Sequence, residues 1–316
     1  MTSTPTMAAD ANRWNLSDGQ VKFLAGSLGS CTSKTVFAPL QRVTVLMQLG
    51  KYPHLSIQGH IDVIMKEKNG GVRAFWKGNL YSICQRFPFS GSNYWFFLLF
   101  RDWLHALVAS RRSSTVDVTC NAVASAAAAC LATVLVFPME VMRTRTMSGE
   151  PKFQRGIVNT FLEVKKGPGG WLNFYGGLSP ALLQRVPDMA LNMTVYQTVR
   201  GALKRRGWDD GMCVIAGSTS AALASVALLY PFDVAKRRMS MRDLGADGTL
   251  KYKGTWDCIR SVYADGGLRA VYRGAGIEAV RCVPQVCLMW YITEQTLVHL
   301  SPSLVRKQHE EMSRKQ

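Results

Sequence analysis

The octapeptide Pro231-Phe232-Asp233-Val234-Ala235-Lys236-Arg237-Arg238 stands at the end of an apolar stretch and is one of three related segments. Its pattern is a proline, an acid two residues on, a base three further and a second base two beyond. Pro138-Met139-Glu140-Val141-Met142-Arg143-Thr144-Arg145 repeats it, and Pro39-Leu40-Gln41-Arg42-Val43-Thr44 keeps the proline while losing the acid and the first base. The three prolines are 99 and 93 residues apart. A second mark recurs in the same phase, Phe75-Trp76-Lys77-Gly78, Phe174-Tyr175-Gly176-Gly177 and Val271-Tyr272-Arg273-Gly274. A third is a proline ten residues after each of those glycines, at Pro88, Pro187 and Pro284. Three marks in register define a threefold internal repeat of roughly 100 residues.

Two stretches of 22 residues, Val118 to Met139 and Gly211 to Phe232, contain no acidic or basic side chain. Each is long enough as a helix to cross a hydrocarbon core of about 30 Å. Mean hydropathy near zero over 316 residues fits helices that line a polar cavity with one face. The expected fold class is therefore an all-α membrane protein, with six transmembrane helices in three pseudo-threefold repeats and short surface helices between them. The expected boundaries are a tail over 1–18, repeats over 19–110, 111–207 and 208–300, and a basic tail over 301–316. A net charge of +17 fits nucleic acid, an anionic membrane surface or an anionic solute, and the uncharged spans argue against nucleic acid. Basic pairs outside the spans, such as Lys165-Lys166, are suited to headgroups or water. The eight cysteines form no Cys-x-x-Cys pair and read as buried thiols, not a metal site or a disulfide frame. With Asp10, Asp18 and the one arginine Arg13, the first 19 residues form neither a secretory signal nor an Arg-rich transit peptide.

The triplicated proline-acid-base unit with its aromatic-base-glycine mark resembles the mitochondrial carrier family over about residues 20 to 300, nearest in detail to its nucleotide and coenzyme A branches. The resemblance implies an inner-membrane location in mitochondria, or less readily in peroxisomes or another organelle, a monomer, internal import signals, and cardiolipin-like lipid at the helix starts marked by Gly78, Gly177 and Gly274. It also implies helices bent at Pro39, Pro138 and Pro231, drawn together at a matrix gate. There the family arrangement would pair Glu140 with Lys236, Asp233 with Thr44 and Gln41 with Arg143, braced by Gln48. Only the first of these pairs is ionic, so the expected gate is weak. A cytoplasmic gate would use Arg101, Arg200 and Glu294, and it is depleted too.

Charge inside a span is expensive and usually faces a cavity. The family's substrate contacts, seven and eight residues after each marked glycine, fall on Gln85-Arg86, Gln184-Arg185 and Arg281-Cys282. Lys34 matches the cavity base of the ADP/ATP carriers. These cations against one nearby acid, Asp188, suit a small anionic or phosphorylated solute, and Arg237-Arg238-Met239 resembles both nucleotide branches. The alternative is that Arg185 and Asp188 pair with each other while Arg86 snorkels. Two further readings stay open: a carrier for amino acids or other small zwitterions and carboxylates, held by Asp188 and Arg185, and a carrier-like adaptor that no longer transports. No phosphate loop, dinucleotide fingerprint, zinc motif or nucleophile elbow is present, and no catalysis, cofactor or metal is expected.

Overall fold

The computed structural model describes residues 18–67, 71–108, 114–167, 169–241 and 252–300; the two tails lie almost wholly outside them. These residues fold into ten α-helices with short 3-10 turns and no strand. Long helices follow the expected spans: α1 (Asp18–Val36) and α2 (Ala38–Leu49), α4 (Asn79–Leu107), α5 (Ser114–Met147), α7 (Leu178–Arg205), α8 (Asp210–Ser240) and α10 (Ala275–Leu300). Short amphipathic helices lie between them, α3 (Ile57–Met65), α6 (Ile157–Lys166) and α9 (Thr255–Val271), the last interrupted at Gly266 and Gly267. Thr119–Met147 and Asp210–Ser240 are long and apolar enough to cross a membrane. Large apolar side chains such as Leu135, Met193, Leu228 and Val280 are exposed on the long helices, a surface suited to lipid and costly in water.

Pro138 and Pro231 lie inside continuous helices, as do Pro88, Pro187 and Pro284. The bend expected at Pro39 is instead a break. Helix α1 stops at Val36, Phe37 leaves helical geometry, and Pro39 occupies the first turn of α2, where a missing N–H costs nothing.

The chain divides into two compact units, Phe37–Cys282 and a smaller one that joins the segment up to Val36 with the segment from Val283. In the smaller unit α1 approaches α10 through Gly29, where an added Cβ would come 2.7 Å from the Met289 carbonyl. Gly26, a turn earlier on α1, has open space at that position. In the larger unit, the packing repeats with the sequence. In each repeat the helix that ends in the proline-marked segment (α2, α5, α8) lays its C-terminal end on its own surface helix, with 3-10 turns added in the first two repeats. This gives the clusters Val43, Leu46, Ile64 and Ala74, then Met142, Phe153, Val164 and Phe174, then Tyr230, Val234, Cys258 and Val262.

The three marked glycines join these clusters cyclically. Gly78, Gly177 and Gly274 have φ of 87°, 88° and 89°, a left-handed conformation that side chains resist. A Cβ on Gly78 would meet Met147 at 2.7 Å, on Gly177 the Lys236 carbonyl at 2.5 Å, and on Gly274 the Tyr230 hydroxyl at 2.9 Å and Met47 at 3.3 Å. Each glycine thus seats the start of α4, α7 or α10 against the C-terminal part of α5, α8 or α2, and for all three the contact reaches the repeat that follows in the cycle. Gly177→Ala is expected to destabilise the detergent-purified protein by at least about 2 kcal/mol, combining left-handed strain with the carbonyl overlap. Gly276→Ala, in open helical space, should be neutral or raise the melting temperature. Equal effects of the two in thermal unfolding would contradict this packing.

Candidate binding cavity

In the larger unit a cavity of about 390 Å³ is walled by α4, α5, α7, α8 and the first turns of α10. The lumenal face of α7 supplies Gln184, Arg185, Asp188 and Asn192, spaced so that all four share one helix side. Gln85 comes from α4, Thr133 and Glu140 from α5, Ser225, Asp233 and Lys236 from α8, and Glu278 with Cys282 from α10. Of the residues expected to contact a solute, Gln85, Gln184, Arg185 and Asp188 are brought together here. Arg86 is not part of this wall, and Lys34 belongs to the smaller unit.

Arg281 was expected to face the cavity as a free cation. It is instead buried, 7% exposed, and forms an ion pair with Glu278 one turn earlier in α10. The i,i+3 spacing makes this the nearest available acid, a signal present in the sequence although Glu278 went unremarked. The wall also holds more acid than expected: Glu140, Asp188, Asp233 and Glu278 against Arg185 and Lys236. Three of those acids are already neutralised. Glu278 holds Arg281, Asp233 holds Lys236 at 3.4 Å, and Glu140 holds Arg237 at 2.9 Å.

The last two pairs correct the gate expected from the repeat. Glu140 takes Arg237, not Lys236, because the guanidinium reaches the carboxylate and the Thr144 hydroxyl (2.8 Å) together. Lys236 turns to Asp233 on its own helix. Thr44 donates to the Leu40 carbonyl at 3.0 Å and leaves Asp233 alone. Gln85 donates to the second oxygen of Glu140 at 3.1 Å, with Arg143 at 4.0 Å. Gln41 makes no side-chain hydrogen bond to Arg143 among the described residues. Arg237 and Arg238, taken from sequence as support for a nucleotide, instead join repeats: Arg238 donates to the Gln48 carbonyl at 3.2 Å.

Arg145 makes the equivalent bond, to the Ser240 carbonyl at 3.1 Å. The same position in the first repeat is Leu46, so this link has no counterpart between repeats one and two. A different network stands at that boundary. Arg42, fully buried, bonds the Ala74 carbonyl and pairs with Glu67 at 2.5 Å. Glu67 also holds Lys77 at 3.0 Å and accepts from Gln154 of the second repeat at 3.0 Å, and Lys77 donates to Gln154 at 2.7 Å. Sequence reading missed this set, although Arg42 marks it, since the positions matching it in the other repeats are Val141 and Val234.

Two of the three residues expected at the outer gate have local partners. Arg101 pairs with Asp102 at 2.9 Å, and Arg200 lies 3.8 Å from Asp210 and over the Tyr196 ring. Glu294 has no ion pair among the described residues, and no group of three or more metal-ligating side chains occurs among them.

A family model described as mitochondrial carrier protein matches residues 18–107, 114–207 and 211–303. ADP/ATP translocase 3 of Homo sapiens is 29% identical over 274 residues, covering 82% of this chain and 90% of the translocase. Solute carrier family 25 member 16 of Rattus norvegicus is 26% identical, with 83% and 86% covered. The thylakoid ADP,ATP carrier protein of Arabidopsis thaliana is 27% identical, with 83% and 61% covered.

Removing one partner of a buried ion pair leaves an uncompensated charge, at a cost of about 3–5 kcal/mol. Glu67→Gln, which strands Arg42, should lower the melting temperature much more than Arg42→Val, which leaves Glu67 with Lys77 and restores the residue found in the other repeats. The reverse order in thermal unfolding would contradict the assigned network.

Proposed function

Because the chain belongs to the mitochondrial carrier family, and is a transporter and not an enzyme, we propose that its solute is a phosphorylated, nucleotide-like anion of the adenine nucleotide or coenzyme A type. The observation that carries this reading is Arg185. Its Nε and Nη2 donate to the Thr133 hydroxyl at 3.2 and 3.1 Å and its guanidinium lies 5.1 Å from the centre of the Phe89 ring. No acid pairs with it among the described residues. A guanidinium held by neutral groups in a membrane cavity keeps its charge for something that enters. The names of the ADP/ATP translocase relatives point to the same class.

Transport follows alternating access, the cavity opening first to one side of the mitochondrial inner membrane and then to the other. Solute binding offsets the loss of contacts at the closed end. Backbone N–H groups at the starts of α4, α7 and α10 are suited to the phosphates of a cardiolipin-like lipid, and the protein works as a monomer.

Uptake of radiolabelled ADP and coenzyme A into liposomes tests the reading. Arg185→Ala is expected to reduce uptake of the transported solute at least about tenfold, the equivalent of one lost charge-assisted hydrogen bond. Arg86→Ala should have a smaller effect. Failure of the unsubstituted protein to move either solute, or full activity in Arg185→Ala, would overturn the proposal.

A further inference from the structure

Asp188 is the one acid of the cavity wall that holds no base among the described residues. One of its oxygens accepts from Asn192 Nδ2 at 2.8 Å and from the Ser225 hydroxyl. Asn192 is fixed in turn by the Asp188 backbone carbonyl, also at 2.8 Å. Both side-chain donors reach Oδ1, and no described residue donates to Oδ2. Arg185 stands three residues away on the same face of α7, yet the two do not form an ion pair. They are held apart by separate neutral partners, Thr133 and Phe89 for the arginine, Ser225 and Asn192 for the aspartate. Neighbouring opposite charges that face one membrane cavity without closing on each other leave an acceptor and a donor for a single guest.

We propose that Asp188, oriented by Ser225 and Asn192, is a specificity-determining residue that accepts an N–H donor of the solute while Arg185 takes its anionic group. This deepens the proposed function and rests on it for the identity of the solute. The preferred solute then carries an amino group as well as a phosphate, as an adenine nucleotide does through its exocyclic amine. A hypoxanthine nucleotide presents a carbonyl oxygen at that place and would set an acceptor against a carboxylate. The ammonium of an amino acid offers the same donor from a different source.

Thermal unfolding of the full-length protein with ADP, IDP or lysine separates the cases, since a ligand of the native state raises the melting temperature by mass action. Loss of one hydrogen bond to a charged group should make IDP at least about tenfold weaker than ADP. Asp188→Asn can keep its carbonyl on Ser225 and Asn192 and turn its amide toward the cavity, so it should abolish or reverse that preference without abolishing nucleotide binding. Equal binding of ADP and IDP by the unsubstituted protein, or an unchanged preference in Asp188→Asn, overturns the role of Asp188 and leaves the nucleotide reading intact. Stabilisation by lysine alone, lost in Asp188→Asn, sustains the donor site and removes the nucleotide. No stabilisation by any of the three overturns both.

Discussion

Burying an ionised side chain among membrane helices is tolerable only when a partner of opposite charge or several donors accompany it. The larger unit depends on this constraint. At the C-terminal ends of α2, α5 and α8 the charged groups are nearly all committed, and most of the commitments cross from one repeat to the next. Glu140 binds Arg237, Arg145 and Arg238 reach backbone carbonyls of the following repeat, and Glu67 gathers Arg42, Lys77 and Gln154. The left-handed glycines at Gly78, Gly177 and Gly274 allow α4, α7 and α10 to start close enough for these bonds to form.

Against that background the cavity separates into two kinds of charge. Glu140, Asp233 and Glu278 face it but are neutralised by bases of the protein itself. Arg185 and Asp188 face it with neutral partners only. The first kind holds helices together, and the second is the basis for proposing where a solute is read. A polar cavity built in this way on α7 explains why the four lumenal residues Gln184, Arg185, Asp188 and Asn192 follow helical spacing within a stretch, 178–193, that is otherwise apolar or small.

The fold was largely legible in the sequence because its signals are long and repeated. Uncharged stretches marked α5 and α8, and the phased glycines Gly78, Gly177 and Gly274 stand immediately before α4, α7 and α10. Individual pairings were less legible. The repeat suggested Glu140 with Lys236, whereas Arg237, one residue further, reaches Glu140 and Thr144 together, and the reach of a rotamer is not written in spacing. Arg281 was misread because its partner Glu278 lies one turn back on its own helix. The Glu67 network was missed because it joins residues 10 to 87 positions apart, and only the oddity of Arg42 opposite Val141 and Val234 pointed to it. Asn192 and Ser225 are neutral, and nothing local distinguishes them from other polar residues in a span.

The division between structural and solute-facing charge is tested most directly by comparing Arg237→Ala with Arg185→Ala in thermal unfolding without any solute. Arg237→Ala should lose at least about 2 kcal/mol, since Glu140 gives up its nearest base, at 2.9 Å, and keeps only Gln85 and the more distant Arg143. Arg185→Ala should stay within about 1 kcal/mol of the unsubstituted protein, since it gives up only a hydroxyl contact and a ring contact. Comparable losses in the two variants would contradict the account, because Arg185 would then be a structural charge like the others.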